Sequence, residues 1–198
     1  VFGKFTNDIN GATVNGGNII INNSQTITIS PDNLYQYTYD QIMLPLGKAY
    51  MGNFIDVQIK GSNSVDSLSR KLYIPKPIFL YNLYKSISTI SNNTSYNLSW
   101  NPDLQNMFGK VLIQVDYYSG LSINHNPGNP KSVQGLVYTA SDDGSFIIPA
   151  KDLERFPVSS YISISISRAT DNSWPTGRSH IEYIAVTSAY SSPILIQN

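Results

Sequence analysis

Two-residue alternation in the stretch 95–120, SYNLSWNPDLQNMFGKVLIQVDYYSG, does most to limit the folds open to this chain. Tyr96, Leu98 and Trp100 alternate with Asn97 and Ser99. After a polar turn, Val111, Ile113, Val115 and Tyr117 alternate with Leu112, Gln114, Asp116 and Tyr118. A period of two places each set on one face of a pleated strand. The stretch therefore reads as two strands joined by a turn, with the Trp100 indole facing inward, as in sandwiches of two sheets.

The same grammar runs through the rest of the sequence. In the first part, strands are expected at 19–22, 25–30, 34–39, 54–60 and 71–74. They are separated by turn formers at Asn15-Gly16-Gly17, Asn22-Asn23, Pro31-Asp32-Asn33 and Gly61-Ser62-Asn63. Tyr35, Tyr37 and Tyr39 share one face of their strand, and Ile55, Val57 and Ile59 share another. Pro75-Lys76-Pro77 is the expected domain boundary, because proline removes ladder donors and stiffens the chain. Beyond it, strands are expected at 86–90, 95–100, 110–118, 135–139, 145–148, 161–168 and 180–189, all compatible with antiparallel pairing. Residues 150–156 have the makings of one helical turn. The expected fold class is all-β: tandem antiparallel β-sandwich modules, an N-terminal β domain over 1–75 and a second sandwich over 78–198.

The composition narrows function mainly by exclusion. The chain of 198 residues carries 13 basic and 13 acidic residues, a formal net charge of zero, and only 13% charged residues, about half the usual share. No basic run could neutralise several phosphates, which argues against nucleic acid, and no polybasic segment would hold a membrane surface. No apolar run approaches the roughly 18 residues that a membrane-spanning helix needs. Cysteine is absent, which excludes disulfides, thiolate metal sites and a cysteine nucleophile. It also fits an exported bacterial protein. The chain starts at Val1 rather than Met, so a mature or trimmed chain is expected, with any leader or lipid-attachment residue upstream.

The spacing LSWNPD, GKVLIQVDYY, DDGSFIIPAKDLERFP and YISISISRA resembles immunoglobulin-like and fibronectin type III-like modules, and more narrowly those of uncharacterised surface lipoproteins of the Bacteroidetes. The residues that carry the resemblance are Leu98, Trp100, Asp103, Gly109, Tyr118, Asp143, Gly144, Phe146, Ile148, Pro149, Leu153, Pro157 and Arg168. It implies a cell-surface or periplasmic protein, anchored at the outer membrane in its full length. Such sandwiches host many functions, so the resemblance names no activity. Through Gly3-Lys4 and Gly11-Ala12-Thr13-Val14, the first domain resembles transthyretin-like modules of the same surface proteins. Asp66-Ser67-Leu68 matches the three-residue O-glycosylation signal of those bacteria, which makes Ser67 a candidate site.

Catalytic chemistry finds little to work with. His125 and His180 are the two histidines, and no Gly-x-Ser-x-Gly elbow accompanies them. Glycosidase chemistry needs two facing carboxylates, and the pattern nominates no pair. Asp142 and Asp143 could offer oxygens to calcium, while Asp-Asp-Gly alone also describes a tight turn. No metal, cofactor or catalytic residue is assigned. The candidate binding residues are Trp174 and Arg178, in the expected loop DNSWPTGR, with Asn106 and Phe108 in the turn after Trp100. A loop tryptophan beside an arginine can stack on a sugar or anchor a protein, and it can equally serve as a contact between domains. The long segment 121–135, rich in Asn, Gly and Pro, is a second place for recognition. The expected function is non-catalytic binding of a glycan or a surface or host protein. The alternatives are a structural spacer or assembly subunit, and a glycan-active enzyme with a hidden carboxylate pair.

Overall fold

The computed structural model describes residues 2–6, 12–28, 31, 34–36, 50–83, 88–106, 109–117, 135–176 and 179–198. The named elements of the described residues are strands, apart from one helical turn at Ala150–Leu153. It divides into two compact units: Val1–Ile74 with Thr170–Ala185, and Pro75–Ala169 with Val186–Asn198. The first unit thus takes in a segment that the sequence reading places in the second domain.

In the first unit, β1 (Phe2–Thr6) lies between β2 (Thr13–Val14) and β5 (Leu34–Gln36) in a three-stranded sheet. The sequence reading contains neither β1 nor β2. A four-stranded antiparallel sheet has the order β4-β3-β6-β7, with β3 at Ile19–Ile21, β4 at Gln25–Ile27, β6 at Asn53–Ile59 and β7 at Leu68–Ile74. Asn22 and Asn23 both hold positive φ, 49° and 54°, and Ser24 N–H donates to Ile21 O at 3.1 Å. This left-handed pair turns the chain within the three-residue connection between the paired Ile21 and Gln25, a conformation for which asparagine is suited. Gly17 has φ +76°, and a Cβ there would lie 2.2 Å from Gly61 O, so close backbone approach requires glycine. The apolar faces of the strands meet in a cluster of Ile21, Ile27, Ile55 and Leu72. The Tyr35, Tyr37, Tyr39 face extends outside the described residues.

In the second unit, β8 (Ser88–Ser91), β10 (Lys110–Tyr117), β11 (Leu136–Ser141), β13 (Tyr161–Thr176) and β15 (Ile194–Gln197) form a sheet in the order β11-β10-β13-β15-β8. The strand β14 (Ser179–Tyr190) also pairs with β13. A second sheet pairs β9 (Tyr96–Ser99) with β12 (Ser145–Ile148), and Leu80 bridges Trp100 beside it. Inward residues of both sheets share one core: Leu98, Trp100 and Ile148 from one, Val111, Ile113, Val115, Ile162, Ile164, Ile166, Ile194 and Ile196 from the other. This is a β-sandwich. The turn α1 (Ala150–Leu153) closes it, burying Leu153 and nearby Phe156.

Two details differ from the sequence reading. The strand β15 is absent from it, and β15 runs parallel to β8, so the unit is not wholly antiparallel. Those two strands are the first and last of the unit, and a parallel pair needs just such a long connection. The backbone also remains extended from Ala169 to Thr176, where Asn172, Pro175 and Gly177 suggested a loop.

Candidate functional site

Alternation along β13 dictates an unusual burial. Ile162, Ile164 and Ile166 face the core, so Arg168, two residues on, must face inward too. Its side chain is fully buried. A charge there is tolerable only with counter-charges and acceptors in place. The guanidinium Nη2 donates to Asp142 Oδ1 at 3.0 Å and to Asn101 O at 2.6 Å. Its Nη1 donates to Lys76 O at 3.4 Å and lies 3.9 Å from Asp103 Oδ2.

The acids are held from other sides. Asp142 Oδ1 also accepts the Trp100 Nε1–H at 2.9 Å, and Oδ2 accepts from Asn106 Nδ2 at 3.3 Å. Asp103 Oδ2 accepts Lys76 N–H at 2.9 Å, and its Oδ1 accepts Gln105 N–H at 3.2 Å. Proline on either side leaves Lys76 with the one backbone N–H of Pro75-Lys76-Pro77, and Asp103 takes it. Lys76 O accepts from Thr187 Oγ1 at 2.8 Å as well as from Arg168. The connector is therefore pinned at its backbone to the second unit. Asn101 ties the next residues, donating to Pro77 O at 2.9 Å and accepting Phe79 N–H at 2.6 Å.

The surroundings of each acid set what it can do. Both oxygens of Asp142 face N–H donors, the electrostatic opposite of a cation site. Asp143 is exposed, and its Oδ1 accepts Ser145 N–H at 3.2 Å, closing a turn completed by Gly144 at φ +101°. Among the described residues, no group of three or more His, Cys, Asp or Glu side chains could hold a metal ion. Asp103 and Asp142, the carboxylates that the network joins, have no exposed side-chain surface, so no substrate reaches them.

Of the four candidate binding residues, Trp174 and Asn106 are among the described ones. Trp174 lies within β13, not in a loop, and packs half-buried against the cluster of Ile21, Ile27, Ile55 and Leu72 in the first unit. Asn106 is buried in the polar network rather than displayed, and its Oδ1 has no hydrogen-bond partner. Arg178, Phe108, His125 and the segment 121–134 lie outside the described residues. His180 is part of β14. Ser67 is exposed, one residue before β7.

An outward face missed by the sequence reading stands out instead. In the segment before β8, Ile78, Leu80 and Leu83 are buried while Phe79 and Tyr81 face outward, the two residues 53% and 62% exposed. Tyr81 N–H donates to Ser99 O at 3.0 Å, which aligns the segment beside β9. The aromatic spacing of two, flanked by apolar residues, was the available signal. Elsewhere, the Tyr138 ring lies 5.0 Å from Phe146, and its hydroxyl donates to Asp152 Oδ2 at 3.0 Å. Burial, and then the Asp152 bond, push the Tyr138 phenol well above its usual range.

Comparison with protein-family models, curated proteins and solved structures yields no match to this chain. Among the described residues, no helix is long and apolar enough to cross a membrane.

Proposed function

We propose that this chain is a non-catalytic recognition module of the bacterial cell surface, its second unit an immunoglobulin-like or fibronectin type III-like sandwich. The observation that carries the reading is the complete burial of Asp103 and Asp142 around Arg168. The acids gathered around Arg168 serve the scaffold, while Phe79, Tyr81, Asn97 and Ser145 are exposed. Sandwich order with a shared core supports the module type. The resemblance to surface lipoproteins supports export and an anchor upstream.

The test is a binding screen of the full chain against polysaccharides and host-matrix proteins, run beside hydrolysis assays on the same polysaccharides. Saturable binding without hydrolysis is the expected result. Hydrolysis that survives repurification and disappears in a carboxylate variant would overturn the reading. If Ser67 carries a glycan in the native source, mass spectrometry of its peptide will show the added hexose units, and Ser67→Ala will remove them.

A further inference from the structure

We infer that the outer face of the two-stranded sheet, centred on Phe79 and Tyr81, is a binding site for a neutral oligosaccharide. This rests on the reading of the chain as a recognition module and names the ligand class and the place. The pairings Leu80 with Trp100, and Ser145 and Ile147 with Ser99 and Asn97, align three extended segments. Their outward side chains are Phe79 and Tyr81, then Asn97 and Ser99, then Ser145 and Ile147. None is charged. Asp143, in the turn preceding β12, is the nearest charged residue in the chain to Ser145.

Chemistry and size both select the ligand. Residues two apart on one face of a strand are about 6.6–7 Å apart, a spacing at which two rings can each lie under one of two neighbouring sugars. An aromatic ring covers the apolar C–H face of a sugar, while amide and hydroxyl groups exchange hydrogen bonds with its hydroxyls. Asn82 Nδ2 donates to Asn97 O at 3.2 Å, holding an exposed amide at the rim. With strands about 4.8 Å apart and a rise of about 3.3 Å per residue, three segments of four residues cover roughly 200 Å². A stable protein interface takes about 800 Å² from each partner. The patch is therefore small for a protein and suited to a short stretch of glycan. Its lack of charge disfavours acidic polysaccharides, which recruit cationic side chains.

The experiment is calorimetric titration of the full chain with cellohexaose, xylohexaose, mannohexaose, laminarihexaose and chitohexaose, with a heparin hexasaccharide as the charged probe. The expected result is binding of at least one neutral probe, weakened at least tenfold in Phe79→Ala and in Tyr81→Ala, with melting temperatures unchanged. Leu104→Ala, another exposed apolar residue, should bind as the parent does. Neutral binding that survives both aromatic substitutions overturns the site. No neutral binding overturns the inference, and the recognition reading then stands or falls on the matrix-protein screen. Loss of a matrix protein, rather than a sugar, in the two variants would overturn the glycan assignment and show a protein site.

Discussion

Arg168 shows how the strand face on which a residue falls dictates the partners it must have. It belonged to the resemblance, yet its position on the isoleucine face of β13 already demanded buried acids. Those acids could not be named, because Asp103 and Asp142 come from separate turns and meet only in three dimensions. Arg168→Met would leave them buried without their counter-charge, a loss of about 3–5 kcal/mol. Chemical denaturation should show it. A single variant within 1 kcal/mol of the parent, by the same measure as the ~3–5 kcal/mol expected, would mean that the ion pairs contribute little. Tyr138 gives a pH-dependent counterpart. Its phenol stays protonated in the folded protein above the ordinary 10.0, whereas the unfolded chain ionises there. The stabilisation it supplies is complete below that pH and is lost as pH rises toward the folded value. Tyr138→Phe should therefore lose stability less steeply above pH 10.0 than the parent does, in denaturation curves taken at increasing pH.

At the scale of elements, legibility follows the range of the forces involved. The strands β6, β10, β12 and the first half of β13 were readable because alternation is a local property that burial enforces. The parallel partnership of β8 and β15 was not, because pairing between chain ends leaves no local mark. The extension of β13 through Trp174 was hidden by turn-forming residues, whose preference the packing of the indole on Ile21, Ile27, Ile55 and Leu72 outweighs. The Asp142-Asp143-Gly144 turn, by contrast, is local and was legible. It crosses from β11 to β12, and Gly144 holds φ +101° where a Cβ would lie 3.0 Å from Trp100 O. Gly144→Ala should cost about 1–3 kcal/mol through backbone strain. The site to watch is the indole, whose N–H is held by Asp142 in the same turn. A red shift in tryptophan fluorescence together with the lost stability would trace the effect to this turn, and an unchanged spectrum with unchanged stability would refute it.

At the scale of the whole chain, neither unit is one continuous segment, and this changes what a truncation can do. The first unit draws Thr170–Ala185 from far along the sequence, and the second resumes at Val186. Pro75-Lys76-Pro77 looks like a place to cut, since proline ends a sheet and stiffens the chain. A cut there removes Trp174 from the first unit's apolar cluster, and a half-buried tryptophan contributes about 2 kcal/mol, short of the ~3–5 typical of a fully buried one. Beyond the indole, the remaining residues of that segment leave with it, and a unit of this size has little stability to spare. The fragment 1–74 made alone should therefore unfold without a sharp transition, at lower denaturant than the corresponding residues do in the intact chain by hydrogen exchange. The substitution Trp174→Ala in the full chain should reproduce part of that loss, most strongly in the amides of β3, β6 and β7. Cooperative unfolding of 1–74 at the stability of the intact chain would show that the returning segment adds nothing, and that Trp174 is available for a partner instead of being held by the core.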